Sequence, residues 1–414
     1  MTKSIPLIAG IVAAGVLAIP HFATAQTASA KTFDVTVVKP VNGSIVIDPP
    51  VPADGKVAAG TVLNVTVTPA EGYALDSGYY TMKGPWFPAY FESPTPKFQV
   101  VVDQDRQVGG SFIEKKALEG FKVTQDVVYA QPGVKKLKYD VYSPVGAKNL
   151  PCIVIIHGGG WTFNTEDIMR GLARELVRGG KYVVCSIDYR WIGTRDGDKV
   201  PNTMADIIGD VYGAIAHIQE HAHEYGADPS RIAVTGDSAG GHLSAAAIDM
   251  PGQIGAGGFG DKEGVYQFKP TYLPAGKSIE RVRQEITEAI KVSAPSYGVF
   301  SDRTLAHVLG TNASPAAVRA VAPQDNIPNI KDRAVPQFLL RGSEDPLIRD
   351  EEVRGYADAL KAAGQKAEYV QVEGASHAFF DWKPDAETKA TFAKYGVPYA
   401  AKMEAFFDAV FYPK

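Results

Sequence analysis

The sequence predicts an α/β protein, a doubly wound and mostly parallel sheet preceded by a small all-β domain. Three observations lead there. From Gly120 onward, short apolar runs rich in β-branched residues alternate with helix-length stretches, the pattern of parallel strands buried on both faces and joined by helices. Over residues 32–115, period-2 runs alternate instead with Pro, Gly, Asn and Asp clusters, as in a compact β-module. The 414 residues also exceed what one hydrophobic core usually supports, so more than one domain is expected.

Apolar residues make up 45% of the chain and charged residues 21%, a balance that excludes disorder as the dominant state. The net charge of -4 gives no electrostatic reason to expect a nucleic-acid partner. At the start, Lys3, an almost wholly apolar run over residues 6–19 and the small-x-small triplet Ala23-Thr24-Ala25 form the pattern of a signal peptide. Residues 1–25 are expected to be removed, leaving Gln26 first. The run is shorter than the roughly 20 residues that span a bilayer. No stable membrane insertion is expected, and the mature protein is placed in the periplasm or outside the cell.

Residues 26–116 form the expected all-β domain. Its strand candidates are TFDVTVV, GSIVI, TVLNVTV, KFQVVV and GSFIE. An aromatic-rich segment between the third and fourth holds Tyr79, Tyr80, Trp86, Phe87, Tyr90 and Phe91. Such rings serve either a ligand surface or the packing of a small domain against its neighbour, and packing is the simpler reading. The order of Asn42-Gly43, Gly60-Thr61, Pro69, Gly72-Tyr73 and a final Gly-Ser-Phe strand resembles a divergent internalin-type B-repeat of bacterial surface and secreted proteins.

Residues 117–414 form the second domain. VTQDVVYA and KKLKYDVYS read as a strand pair joined at Pro132-Gly133, followed by the buried strands IVIIH, YVVCSID, RIAVTG, AIKVSA, QFLLRG and AEYVQVEG. Helical patterns cover residues 202–225, 242–249, 351–363 and 399–411, and the glycine-rich stretch 251–280 reads as an insertion. Cys152 and Cys185 fall in neighbouring buried strands, where free thiols are expected to act as small apolar residues. In such a sheet, the loops at the carboxyl ends of the strands carry the site.

Two motifs lie at those ends. Gly236-Asp237-Ser238-Ala239-Gly240 stands between strand and helix, the G-x-S-x-G elbow that thrusts a serine hydroxyl into the open. Upstream, His157-Gly158-Gly159-Gly160-Trp161 ends another strand, where glycines let backbone N–H groups turn outward to meet an oxyanion. A serine nucleophile needs a base, and the base needs an orienting carboxylate. In this arrangement the order along the chain is Ser, Asp or Glu, then His. His377 is the one histidine beyond Asp345, and Asp345 follows QFLLRG in Gly-Ser-Glu-Asp-Pro-Leu, with Glu344 and Asp350 as competitors. Ser238, Asp345 and His377 are therefore the expected catalytic triad.

With HGGGW, DYR at 188–190, DPSRIAVTGDSAGGHL, GSEDPL and GASHAF, residues 121–411 resemble the hormone-sensitive-lipase-like branch of the α/β-hydrolase superfamily and related bacterial acetyl and feruloyl esterases. The resemblance implies that the N–H groups of Gly158, Gly159 and Ala239 form the oxyanion hole, with Gly160 closing the turn and His157 structural. Trp161 and Tyr189 follow strands and are expected near the pocket mouth as substrate-binding residues. His242, just after the elbow, reads as packing. His217-Ile218-Gln219-Glu220-His221 matches a zinc-peptidase spacing but lies on a helix remote from the strand ends, so no metal and no cofactor are expected.

These features imply a serine ester hydrolase acting on short-chain or hydroxycinnamoyl esters, small or polymer-linked. Two other readings are kept: a prolyl-oligopeptidase-like peptidase, against which HGGG speaks, and a surface-binding protein with a vestigial hydrolase domain. The sequence does not fix the oligomeric state.

Overall fold

The computed structural model describes residues 31–82, 89–309 and 313–413. The proposed signal peptide, Trp86 and Phe87 lie outside them. Among the described residues, eight strands build the N-terminal domain: β1 (Thr32–Val37), β2 (Gly43–Asp48), β3 (Lys56–Ala58), β4 (Val62–Pro69), β5 (Tyr73–Met82), β6 (Ala89–Ser93), β7 (Lys97–Val101) and β8 (Arg106–Glu114). They form two sheets, ordered β3-β1-β8-β5-β6 and β2-β4-β7. Between the sheets lies an aliphatic core of Val35, Val57, Leu63, Val65, Val67, Val100, Val102 and Val108.

Here the fold differs from the sequence reading. The aromatic-rich segment contributes two strands that are absent from the expected strand candidates: Tyr79 and Tyr80 sit in β5, Tyr90 and Phe91 in β6, and the two strands pair antiparallel. Tyr80 stacks on Phe91 at 4.7 Å, and Tyr79 meets Tyr90 edge-on at 5.7 Å. Cross-strand aromatic pairs of this kind stabilise a two-stranded ribbon, and no clean period-2 pattern announces it because Tyr79 is buried while Tyr80 packs on the small core.

The second domain is one eight-stranded sheet. Its strands are β9 (Phe121–Ala130), β10 (Leu137–Pro144), β11 (Leu150–Ile156), β12 (Val183–Ile187), β13 (Ala227–Asp237), β14 (Ile290–Ser296), β15 (Gln337–Gly342) and β16 (Ala367–Val372). The order is β16-β15-β14-β13-β11-β12-β10-β9; β9 and β10 pair antiparallel, β10 joins β12 antiparallel, and every pairing from β12 to β16 is parallel. The central strands are buried at nearly every position, which is why they read as unbroken apolar runs.

Helices α1 (Arg170–Arg178), α2 (Met204–His221), α3 (Ala239–Asp249), α4 (Ile279–Ala289), α5 (Asp302–Leu309), α6 (Pro315–Val321), α7 (Asp350–Ala362), α8 (Ala386–Thr391) and α9 (Val397–Phe411) complete it. Thr203 starts α2 with a capping box to Asp206, later than the expected position 202. The 251–280 insertion holds a short bridge, Ile254 to Phe268, and its backbone packs so closely on α2 that a Cβ at Gly209 would stand 2.4 Å from the Lys269 oxygen. Cys152 and Cys185 are buried free thiols on β11 and β12 with their sulfurs 3.8 Å apart. Among the described residues no helix is long and apolar enough to cross a membrane.

The chain runs from β11 to β12 on one side and returns to β13 on the other. The carboxyl ends of β11 and β13 therefore flank the point where strand order reverses, the crevice in which open α/β sheets place their sites.

Candidate active site

Ser238 sits at that crevice, between the last residue of β13 and the first of α3, with φ 52° and ψ -114°. A side chain in this conformation costs on the order of 1–3 kcal/mol, held here by its surroundings. The Ser238 N–H donates to the Ser296 carbonyl at 2.9 Å. The elbow glycines are sterically obligatory: a Cβ at Gly236 would stand 2.4 Å from the Ile156 oxygen, and one at Gly240 would stand 1.9 Å from the same atom. The close approach of β11 to the turn thus dictates both glycines.

The structure brings Ser238, His377 and Asp345 into one hydrogen-bonded line. His377 Nε2 lies 3.0 Å from Ser238 Oγ, and Nδ1 lies 2.7 Å from Asp345 Oδ2. The other Asp345 oxygen accepts the Leu347 and Ile348 N–H groups at 2.8 and 2.9 Å. Burial works against ionisation of Asp345, but His377 and these two amides outweigh it and hold the carboxyl below its ordinary range. Of the competitors, Glu344 is exposed and Asp350 is engaged with Arg354 and Tyr369. The His377 side chain keeps 13% of its surface open, so the imidazole is reachable from solvent.

The glycine loop departs from expectation at one position. Gly158 N–H is not free for an oxyanion: it donates to Asp237 Oδ1 at 2.6 Å. Burial and the neighbouring Asp381 carboxylate push the Asp237 carboxyl well above its ordinary range. Among the described residues no hydrogen bond occupies the N–H groups of Gly159 and Gly160, whose φ values of 118° and 57° turn the backbone as only glycine readily does. Ala239 opens α3, where first-turn N–H groups have no intrahelical acceptor. Gly159, Gly160 and Ala239 are thus the amides the fold leaves available.

Beneath the loop, His157 is fully buried, with Nδ1 2.6 Å from the Gly158 carbonyl and Nε2 3.2 Å from Asp188 Oδ1. Lys135 adds an ion pair to Asp188 at 2.8 Å. Tyr189 corrects a second expectation: it has no exposed surface, stacks on His157 at 4.2 Å and donates its hydroxyl to the His157 carbonyl, so it supports the loop and does not line a pocket mouth. Trp161 is likewise buried, and its indole N–H points inward to His242 Nδ1 at 3.2 Å. Burial lowers His242 to about 4, and its other nitrogen meets the Val321 carbonyl.

In the H-x-x-E-H stretch, His217 Nδ1 pairs with the Tyr139 hydroxyl at 2.9 Å and its ring stacks on His221 at 4.4 Å. The Glu220 carboxylate accepts from the Tyr272 hydroxyl. Elsewhere, Asp126, Asp140 and Glu166 bring carboxylate oxygens within 4.8 Å of one another, and the Lys138 ammonium bonds both Asp126 and Glu166.

Two residues at the site belong to no sequence motif that points to their role. Tyr297, with φ 37°, lies edge-on against the His377 ring at 4.9 Å and accepts the Phe380 N–H. Asp237 occupies the variable position of the elbow. Its sole signal in the sequence is a charge beside a buried strand end, which demands a partner.

A sheet with this switch point, a strained serine elbow and a Ser-His-Asp line defines a hydrolase scaffold, and similarity to known proteins agrees. The family model described as alpha/beta hydrolase fold matches residues 153–381, more than half of the chain, and the chain belongs to that family. Among curated relatives, a probable carboxylic ester hydrolase, LipM of Mycobacterium tuberculosis, is 28% identical over 243 residues, covering 55% of this chain and 49% of LipM. The carboxylesterase NlhH of the same organism is 38% identical over 124 residues, covering 30% of this chain and 37% of its own. This chain spans about half the length, or less, of these two relatives. Among solved structures, the thermophilic esterase Est2 of the Planctomycetes species Thermogutta terrifontis is similar with a TM-score of 0.51 and 25% identity, over 72% of this chain and 95% of that one.

Proposed function

We propose that this protein is a serine carboxylic-ester hydrolase acting through an acyl-enzyme on Ser238. The observation that carries the reading is the Ser238–His377–Asp345 line beside unoccupied loop amides. His377 Nε2 takes the hydroxyl proton as Ser238 Oγ bonds to the ester carbonyl carbon. Asp345 keeps Nδ1 as a donor and stabilises the imidazolium that forms. The carbonyl oxygen gains the electron pair and meets the N–H groups of Gly159, Gly160 and Ala239. As the tetrahedral centre collapses, His377 returns the proton to the departing alcohol oxygen. Water repeats the sequence on the acyl-enzyme and releases the acid, with no step calling for a cofactor.

The names of LipM and NlhH support an ester as the substrate class. The leader pattern of residues 1–25 supports export to the periplasm or beyond. That pattern, the accessory β-domain and the resemblance to acetyl and feruloyl esterases support short acyl or hydroxycinnamoyl esters, including esters carried on a polysaccharide or polyester.

The test compares p-nitrophenyl acetate, a feruloyl ester and an aminoacyl-nitroanilide. Turnover of the esters and not of the anilide is expected, with Ser238→Ala reducing kcat by at least about 10⁴-fold. A Ser238→Ala protein at the wild-type rate, or an anilide hydrolysed faster than either ester, overturns the reading.

A further inference from the structure

We propose that Trp382 is a positioning residue for the base His377, anchored from the N-terminal domain by Asp76, so that the β-domain helps to hold the active site. The inference rests on the proposed triad and goes beyond it by giving the accessory domain a part in the reaction.

Trp382 follows His377 by five residues, and three parts of the molecule meet on it. Its backbone N–H donates at 2.9 Å to the carbonyl of Ile168, in the turn Glu166–Met169 just downstream of the HGGGW loop. Its indole N–H donates to Asp76 Oδ2 at 2.9 Å, across the domain boundary. Its ring lies against α1, where a Cβ at Gly171 would come within 2.7 Å, and it meets Phe392 edge-on at 5.3 Å. Arg174 and Lys389 place their cations 5.7 and 5.3 Å from the ring centre.

Asp76 is built as a fixed anchor. Its side chain is wholly buried and also receives Ser111 Oγ at 2.9 Å and Arg170 Nε at 3.1 Å, with Arg174 at 2.8 Å and Lys389 at 3.4 Å. Burial opposes its charge, but these cations outweigh burial and hold the carboxyl well below its ordinary range. Glu92 shares Arg170 from the same domain.

The chain between Trp382 and His377 leaves little slack. Phe380 N–H is held by the Tyr297 hydroxyl at 3.2 Å, Asp381 N–H by the Ala378 carbonyl at 3.1 Å, and Ala378 adopts φ 62°. A shift of the indole therefore reaches the imidazole through a short, pinned segment whose far end already packs on Tyr297. Misplacement of a catalytic group by about 1 Å costs up to about 100-fold in rate.

Trp382→Phe keeps one aromatic ring and removes the indole N–H together with the pyrrole ring that carries it. On p-nitrophenyl acetate, at a temperature where both proteins are folded, it is expected to lower kcat about tenfold with KM within about twofold. Glu92→Gln weakens the same interface at Arg170 and leaves the indole bond, so it is expected to lower Tm with kcat unchanged. In folded wild-type protein, the Trp382 indole proton resonance is expected to shift when an organophosphonate occupies Ser238. Wild-type kcat in Trp382→Phe, a parallel loss of kcat in Glu92→Gln, or an unmoved resonance overturns the coupling. Wild-type protein with no Ser238-dependent turnover overturns the triad reading itself, and the coupling with it.

Discussion

The two domains place buried charge in different positions. In the hydrolase-fold domain three of the deeply buried carboxyl groups, Asp188, Asp237 and Asp345, lie under the loops at the strand ends, each tied to a backbone amide or a histidine that shapes the site. In the N-terminal domain the buried carboxylates Asp76 and Glu92 face outward from its own core and meet arginines of the other domain. The hydrolase-fold domain closes on a large core and also buries carboxyl groups away from the site, such as Asp210 on Arg190 and Asp249 beside Tyr356. The N-terminal domain has a core of aliphatic residues, almost all valine, too small to make a domain of its length robust alone, so its charges go to docking. Interface and site converge on the segment from His377 to Lys389.

The sharpest way to break this contrast is to neutralise one carboxylate of each kind. Asp345→Asn is expected to lower kcat about 10⁴-fold by leaving His377 in the wrong tautomer, with Tm little changed. Steady-state kinetics beside thermal unfolding decide it, and a variant with wild-type kcat would remove Asp345 from the triad. Asp76→Ala weights the two readouts the other way, with stability the larger loss and kcat lowered only about tenfold through Trp382. It leaves three cations facing a buried gap and is expected to cost about 3–5 kcal/mol in urea unfolding, as for other broken buried ion pairs. An unchanged unfolding midpoint would show that the interface contributes nothing to stability.

Acid separates His242 from Asp76. His242 is fully buried, and burial lowers it to about 4 from an ordinary 6.5. Between those values the unfolded chain binds a proton that the native state refuses, so stability falls as pH drops from 6.5 to 4, by on the order of 3 kcal/mol. Asp76 behaves the other way: its folded value lies well below 3.8, so its contribution is complete above that pH and is lost only as pH falls further. On acidification the His242 contribution is therefore expected to fall away before that of Asp76, while the raised carboxyls of Asp140 and Asp249, at about 7 and 8, act in the opposite sense within the same domain. Urea unfolding from pH 7 to pH 4 checks this: His242→Asn is expected to lose less stability over that range than the unsubstituted protein, and an unchanged pH dependence overturns it.

The same contrast explains what was legible in the sequence. The parallel sheet was readable because strands buried on both faces leave uninterrupted runs such as IVII and RIAV, and the serine elbow because close backbone approach admits only glycine at 236 and 240. The order of Ser238, Asp345 and His377 followed from chain topology. What sequence patterns missed depends on contacts between distant segments. Gly158 and Gly159 are equivalent in a string of glycines, and only the position of Asp237 shows which amide is occupied. Tyr189 and Trp161 follow strands as pocket residues would, yet both rings turn inward onto histidines. Asp76 lies 306 positions from the indole it holds, a pairing no local period encodes.

The smallest expected effect tests the size of the two cores directly. Val100 in β7 and Val154 in β11 are both fully buried, and truncating either to alanine removes similar apolar surface, at about 2 kcal/mol. In the hydrolase-fold domain that loss is a modest fraction of the total, so Val154→Ala should shift the unfolding midpoint and leave one transition. In the N-terminal domain the same loss falls on a small core, and Val100→Ala should loosen β4, β7 and their partners before the large sheet responds. Amide hydrogen exchange resolved by segment reads the difference. Equal protection of both domains in Val100→Ala would mean that docking through Asp76, not the valine core, holds the β-domain folded, and that this domain draws most of its stability from its neighbour.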